Sequence, residues 1–190
     1  MPKPQAMDNF ASDFSGEFYP DIAASWQRSQ QAGVDPNRKP HGYSPADKPN
    51  SVFPYPDLLD IAAIAMNDIY KSLKGTGFHV LLADEEGWIV ESIPPIKHNW
   101  LNNWSEEVLG TNAIGTCIQI RKGIQITAAE HFHRDLASFT TSAVPIFDDH
   151  GDLVLVLGLI GPSYEDHSRI LSMLHKVSHI IKNKWQVAEQ

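Results

Sequence analysis

Few residues in this chain are equipped for chemistry, and each can be weighed by its neighbours. Cys117 is the single cysteine, so it is the only thiol that could act as a nucleophile. It sits in Gly115-Thr116-Cys117-Ile118, a small-residue stretch with helical spacing, where a lone cysteine is more often a buried hydrophobe than an activated thiolate. One cysteine also excludes an intramolecular disulfide and a cysteine-rich zinc site. Glu130-His131-Phe132-His133 offers three potential metal ligands in four residues. In an extended backbone His131 and His133 face one way and Glu130 the other. At most two would then chelate together, and further ligands such as His79 or Asp135 would have to come from elsewhere. No G-x-S-x-G, H-E-x-x-H or G-x-x-x-x-G-K-[ST] pattern occurs, which leaves no complete catalytic constellation and no P-loop. The expectation is a non-enzyme with no cofactor and no resident metal.

Small-molecule binding fits better. Trp100, Asn102, Asn103 and Trp104 form a polar, aromatic insertion ahead of a short helix bearing Asn112 and Thr116. An insertion of this kind laid over a sheet makes a concave pocket with apolar walls and a few convergent polar groups. The same tryptophans would serve equally well as ordinary packing.

The elements that must position these residues follow from periodicity. Pro20-Asp21 opens a helix in which Ile22 and Trp26 share a face, closed by Gly33. Residues 34–56 carry six prolines, a spacing that neither a helix nor a central strand tolerates. Val52, Phe53 and Tyr55 in that stretch call for burial, so it reads as a connector lying over the core. From Pro56-Asp57, Leu58, Ala62, Ala65, Ile69 and Leu73 recur at steps of three and four, and Lys71, Lys74 and Gly75 close the helix. Phe78–Ala83 and Trp88–Ile93 read as strands around a turn at Asp84–Gly87. A short helix over Thr111–Arg121 and a third strand over Gly123–Thr127 come next. Thr140–Phe147 and Leu153–Ile160 form two more strands around Asp148–Gly151. Pro162-Ser163 precedes a long helix to about Val187, with Ile170, Leu174, Val177 and Ile181 as its stripe and Ser163/Asp166 spaced like a capping box. Strand pairs joined by tight turns, flanked by helices, predict an α+β domain with an antiparallel sheet of five to six strands and helices packed on one face.

Composition sets the outer limits. The 190 residues suffice for one domain with a real core. With 23 acids against 15 lysines and arginines the net charge is −8, which disfavours direct nucleic-acid binding because duplex affinity rests on neutralising phosphates. No run approaches the length of a membrane helix and the N-terminus lacks a signal-peptide core, so the expected place is the cytoplasm, away from membranes.

Four motifs then point to a family. Trp104-Ser105-Glu106, Gly110-Thr111-Asn112 and Ile114-Gly115-Thr116 together resemble the W-S-E-x-x-x-G-T-N-x-I-G-T signature of the GAF domain in bacterial acetoin and glycerol catabolism activators, regulators that work with sigma-54 polymerase. Ser25-Trp26 with Arg28, followed by Gly33-Val34-Asp35-Pro36, is similar to the S-W-x-R…G-x-D-P segment ahead of that domain. Ala129-Glu130-His131-Phe132 matches A-E-H-F. Thr141-Ser142-Ala143-Val144-Pro145-Ile146 with Asp148 and Gly151 resembles C-S-A-x-P-I-x-D-x-x-G, with Thr141 where relatives usually carry cysteine. Thr140 beside it would give the pocket wall two hydroxyls.

The resemblance implies a GAF-like sensor over residues 57–162. Ahead of it would lie a loose N-terminus (1–19) and a helix with its proline-rich connector (20–56), and after it a C-terminal signalling and dimerisation helix (163–190). It implies a small effector bound between the sheet and a cap spanning Trp100 to Arg121, a homodimer, and AAA+ ATPase and helix-turn-helix domains outside this chain. The expected ligand-binding residues are Trp104 and Phe132 as apolar walls and Asn112, Thr116 and Thr141 as hydrogen-bond partners. Glu130 and His131 would form a charge-tunable pair at the mouth. Trp185 reads as surplus to the domain's own core and is assigned to the dimer contact. The rival expectation is a metal- or cofactor-binding redox module centred on His131 and His133, with Cys117 as a possible third member.

Overall fold

Pro56 opens the best-defined helix, since its missing N–H costs nothing in a first turn, and Asp57 and Lys71 complement the two ends of the dipole. The computed structural model of the chain describes residues 20–39, 53–95 and 102–188; Val52 and Trp100 lie outside them. In chain order the elements are α1 (Pro20–Gln31), α2 (Pro56–Ser72), β1 (His79–Asp84), β2 (Ile89–Ile93), α3 (Glu106–Leu109) and α4 (Ala113–Ile120). There follow β3 (Ile124–Thr127), β4 (Phe139–Phe147), β5 (Leu153–Pro162) and α5 (Ile170–Ala188), with single 3-10 turns at Ala128–Glu130 and Arg134–Leu136. Among the described residues the sheet has five strands in the order β2-β1-β5-β4-β3, every pair antiparallel. The fold is α+β.

The turns are built by carboxylates. Asp84 Oδ1 accepts from the backbone N–H of Glu86 and Trp88 between β1 and β2. Asp148 Oδ1 accepts from His150 and Asp152 between β4 and β5. Such side-chain acceptors stand in for a backbone turn and explain the punctuation seen in the sequence.

Helices cover both faces of the sheet, not one. Val80, Leu82, Val144, Ile146, Leu155, Leu157 and Leu159 pack with α2 and α5 in one core. Leu81, Ala83, Ala143 and Val156 pack with α4 and Trp104 in a second core on the opposite face. The correction has a sequence origin: Val80–Ala83 and Leu153–Ile160 are nearly continuous apolar runs, the mark of strands buried on both faces, rather than alternating ones.

Two further expectations change at α5. The helix starts at Ile170 rather than Ser163. Ser163 donates its backbone N–H to the Ser138 carbonyl and Asp166 accepts from Ser168 N–H, so no capping box forms. The buried stripe is Ile170, Leu174, Ser178, Ile181 and Trp185. Trp185 is 4% exposed and its ring meets Tyr55 edge-on at 5.0 Å. It closes the domain's own core over the incoming connector, and the argument for a dimer contact at Trp185 falls. Trp185→Ala is expected to cost about 3–5 kcal/mol in chemical denaturation, as for a large aromatic removed from a packed core; a cost under about 1 kcal/mol would place the ring at a surface.

Candidate functional site

The run from Trp104 to Thr116 folds as a tight corner whose turns its own residues dictate. Asn103 Oδ1 accepts from Ser105 N–H (2.8 Å) and sets up the single turn of α3. Gly110 ends it at φ 73°, ψ −163°, a region open essentially to glycine. A Cβ there would also meet Phe132 at 2.7 Å. Asn112 caps α4: its Oδ1 accepts from Gly115 N–H (2.9 Å), and its Nδ2 donates to the carbonyls of Trp104 and Gly110 (both 2.8 Å). A Cβ on Gly115 would lie 2.6 Å from the Trp104 carbonyl, so the cap closes on α4 only through a glycine. Beneath it, Trp104, Leu109, Ala113, Ile114 and Cys117 fill the space against the sheet.

Helix α1 locks onto this corner through a buried polar network. The Arg28 guanidinium grips the Glu106 carboxylate with two bonds, Nε to Oε2 at 2.5 Å and Nη2 to Oε1 at 2.9 Å. Ser25 donates to Glu106 Oε1 (2.5 Å) and lies 2.8 Å and 3.0 Å from the hydroxyls of Thr111 and Thr116. Ser29 donates to the Ser25 carbonyl. Glu106 is 2% exposed while Arg28 keeps one edge in water. The Glu106 bond, opposed by burial, holds the Arg28 pKa above its ordinary value. Trp26 adds an N–H bond to the Glu130 carbonyl (2.7 Å) and an edge contact with the Phe132 ring at 5.0 Å.

A second relay fixes the sheet side. His131 Nδ1 lies 3.0 Å from the Ala128 carbonyl, which can only accept, so Nδ1 carries the proton. Nε2 of the neutral ring then accepts from the Thr141 hydroxyl at 2.8 Å, and that hydroxyl in turn accepts from Ala113 N–H, the first residue of α4. Burial pushes the His131 pKa down to about 4 against the Ala128 bond. Burial likewise raises the Glu130 pKa, opposed by the Thr127 N–H that its carboxylate accepts.

Six of the seven expected binding residues gather around α4 and its N-terminal turn, while the Glu130 side chain stays with the Thr127 backbone. Trp104, Asn112, Thr116, His131, Phe132 and Thr141 are buried, and the polar ones are bonded to one another or to backbone. Glu130 and His131 do not form a charge-tunable pair at a mouth: the histidine is held neutral inside, and Glu130 caps the turn before it. Thr140 does not share a wall with Thr141. Successive strand residues point to opposite faces, and Thr140 points with Val144 and Ile146 toward α5. His131 and His133 make no metal centre either, since both His131 nitrogens are engaged and His133 Nδ1 accepts from Asp135 N–H; no group of three potential ligands exists among the described residues. Cys117 is fully buried and burial pushes its thiol pKa up, so it is no nucleophile. The sequence reading missed Ser25, Arg28 and Glu106 as contact residues. Their signal was the spacing of Ser25, Arg28 and Ser29 on one helix face, a polar stripe with no reason to be buried unless a carboxylate waits opposite.

No protein-family model matches the chain. It is 29% identical over 158 residues to the acetoin catabolism regulatory protein of Cupriavidus necator, a match spanning 73% of this chain and 22% of that protein. It is 24% identical over 169 residues to the acetoin dehydrogenase operon transcriptional activator AcoR of Bacillus subtilis, 83% of this chain and 28% of the relative. The chain thus spans about a quarter of the length of these curated relatives. Among solved structures, the Escherichia coli DhaR(N)–DhaL complex superposes with a TM-score of 0.71 at 19% identity over 90% of this chain and 63% of the other. A Burkholderia vietnamiensis protein described as a GAF sensor gives 0.53 at 16% identity over 90% and 98%. The chain is similar in sequence to transcriptional regulators of acetoin metabolism and similar in fold to GAF sensors.

Two measurements test the network. A double-mutant cycle on Arg28→Met and Glu106→Gln should return a coupling of about 2 kcal/mol, less than for a fully enclosed pair because Arg28 is partly solvated; single costs that simply add would contradict it. His131, with its folded pKa below the unfolded value near 6.5, contributes stability that is fully present above about pH 6.5 and lost as pH falls toward 4, about 3 kcal/mol in all. Glu130 acts with opposite sign, so the loss is read as the difference between the parent and His131→Gln, whose denaturation midpoint should vary less over that window.

Proposed function

We propose that this chain is the sensory region of a bacterial sigma-54-dependent transcriptional activator, with no catalytic activity of its own. A small-molecule effector binds on the α4 face of the sheet beneath the cap, and its presence reaches AAA+ and helix-turn-helix domains elsewhere in the full-length protein. The observation carrying this reading is that the four motifs shared with acetoin-type regulators converge on one corner, where α1, the cap, α4 and the sheet are bonded to each other. A metabolite that wedges under the cap meets Trp104 first. It must separate the cap from either α1 or the sheet, because apolar side chains fill the interface in the closed form. That is a population shift, and it requires the effector to favour one cap arrangement over the other.

Output through α5 and assembly as a homodimer fit the exposed apolar residues Ile64 on α2 and Ile180 and Val187 on α5. DNA contact is left to the other domains, consistent with a net charge of −8. No helix among the described residues is long and apolar enough to cross a membrane; a cytoplasmic location belongs to the same proposal, as the place where a transcriptional activator works.

The test is a thermal-shift screen against small alcohols, diols, ketones, organic acids and aromatics. A true effector at ~100 times its Kd adds about 2.7 kcal/mol and loses that effect in a folded Trp104→Ala variant. If no compound stabilises the protein while a stable complex with a partner protein does, as the DhaR(N)–DhaL pair exemplifies for that protein, the metabolite reading is overturned.

A further inference from the structure

Away from the cap, a groove of about 320 Å³ runs between the C-terminal end of α4, the edge of β4 and the middle of α5. Its lining inverts the composition of the chain. Arg121, Lys122, Lys182, His175 and His179 line it and no carboxylate does, in a protein with 23 acids against 15 lysines and arginines. Its floor is apolar, formed by Pro145, Ile146 and Phe147.

Acids approach only from outside the lining. Asp21 of α1 pairs with Lys122 at 2.9 Å, and Asp149 stands 3.9 Å from Lys182, whose amino group also donates to the Asp148 carbonyl at 3.1 Å. Arg121 has no carboxylate partner among the described residues. Its guanidinium lies over the Phe147 ring, 5.0 Å from the centroid, and donates to the Gly151 carbonyl. The backbone puts it there at a cost: Arg121 ends α4 in the left-handed region (φ 55°, ψ 32°), a place usually given to glycine. Gly123, two residues on, leaves a gap facing α5, since a Cβ there would strike the His175 ring. The imidazole can therefore approach the backbone of the groove.

We propose that this groove is a second ligand site, for a small organic anion that places a carboxylate against Arg121, with His175, His179 and Lys122 around it, and lays an apolar body on Pro145 and Phe147. The site is separate from the effector site under the cap and stands or falls independently of it. It joins the end of α4 to α5, so an anion bound there ties the sensing helix to the last helix of the fold.

Benzoate is the probe, with acetate as the anion lacking an apolar body. Calorimetric titration of the protein, with NMR of the His175 and His179 ring protons, should show saturable benzoate binding that moves both histidine signals, with acetate at least tenfold weaker. Arg121→Gly should weaken benzoate at least tenfold while keeping the fold, because glycine suits φ 55°. Lys122→Met, at an exposed position, should weaken it several-fold and checks the site should Arg121→Gly fold poorly. The proposal is overturned if benzoate does not bind, if it binds without moving His175 and His179, if acetate equals it, or if neither substitution weakens it.

Discussion

A carboxylate taken out of water must be answered by a partner, and Glu106 organises this protein around that requirement. At 2% exposure its charge would cost several kcal/mol unpaired. Its own element, a single turn of helix, holds no cation. The answer comes from 78 residues earlier in the chain, where Arg28 and Ser25 project from one face of α1. Helix α1 is therefore held to the domain by the cap's need for a counter-charge more than by an apolar stripe of its own, which is reduced to Ile22 among its fully buried hydrophobic residues. The coupling runs both ways. Moving the cap strips Glu106 of its partner, and releasing α1 leaves the cap with a buried charge.

The rest of the corner is arranged so that small displacements are not free. Gly110 and Gly115 admit Phe132 and the Trp104 carbonyl at distances no side chain would allow. Asn112 spends its side-chain oxygen and both amide hydrogens on closing the turn. The Thr141 hydroxyl ties the start of α4 to β4 and is itself held by the neutral ring of His131. Packed, bonded elements of this kind tend to move as units between discrete arrangements rather than deform by degrees, which is the property a sensor needs.

Much of this was legible in the residues. The helix at Pro56, the five strands with turns that open on Asp84 and Asp148, and the short helix after Asn112 follow from caps, turns and periodicity, and most of the residues singled out lie around the start of α4. What was misread has physical causes. Both-sided burial of the sheet was written in the unbroken apolar runs of β1 and β5 but competed with the hairpin signals that suggest one wet face. Thr140 and Thr141 are adjacent in sequence yet divided by the pleat. Trp185 reads as superfluous because Tyr55 calls for burial without any pattern that says which element covers it, and the covering ring comes from the far end of the fold. The pairing of Arg28 with Glu106 depends on tertiary contact across 78 positions, which no local pattern encodes. Their roles as polar residues on helical faces were visible; their partnership was not.

Hydrogen–deuterium exchange, followed by mass spectrometry, tests the central claim that α1 and the cap are one cooperative unit closed by the buried pair. The account predicts that amides of residues 22–31 and 106–116 open with a common free energy, below that of β1, β4 and β5, and that Glu106→Gln lowers protection in both segments together while the sheet is unchanged. Rapid exchange of α1 beside a fully protected cap, or loss of protection in one segment alone, would contradict it.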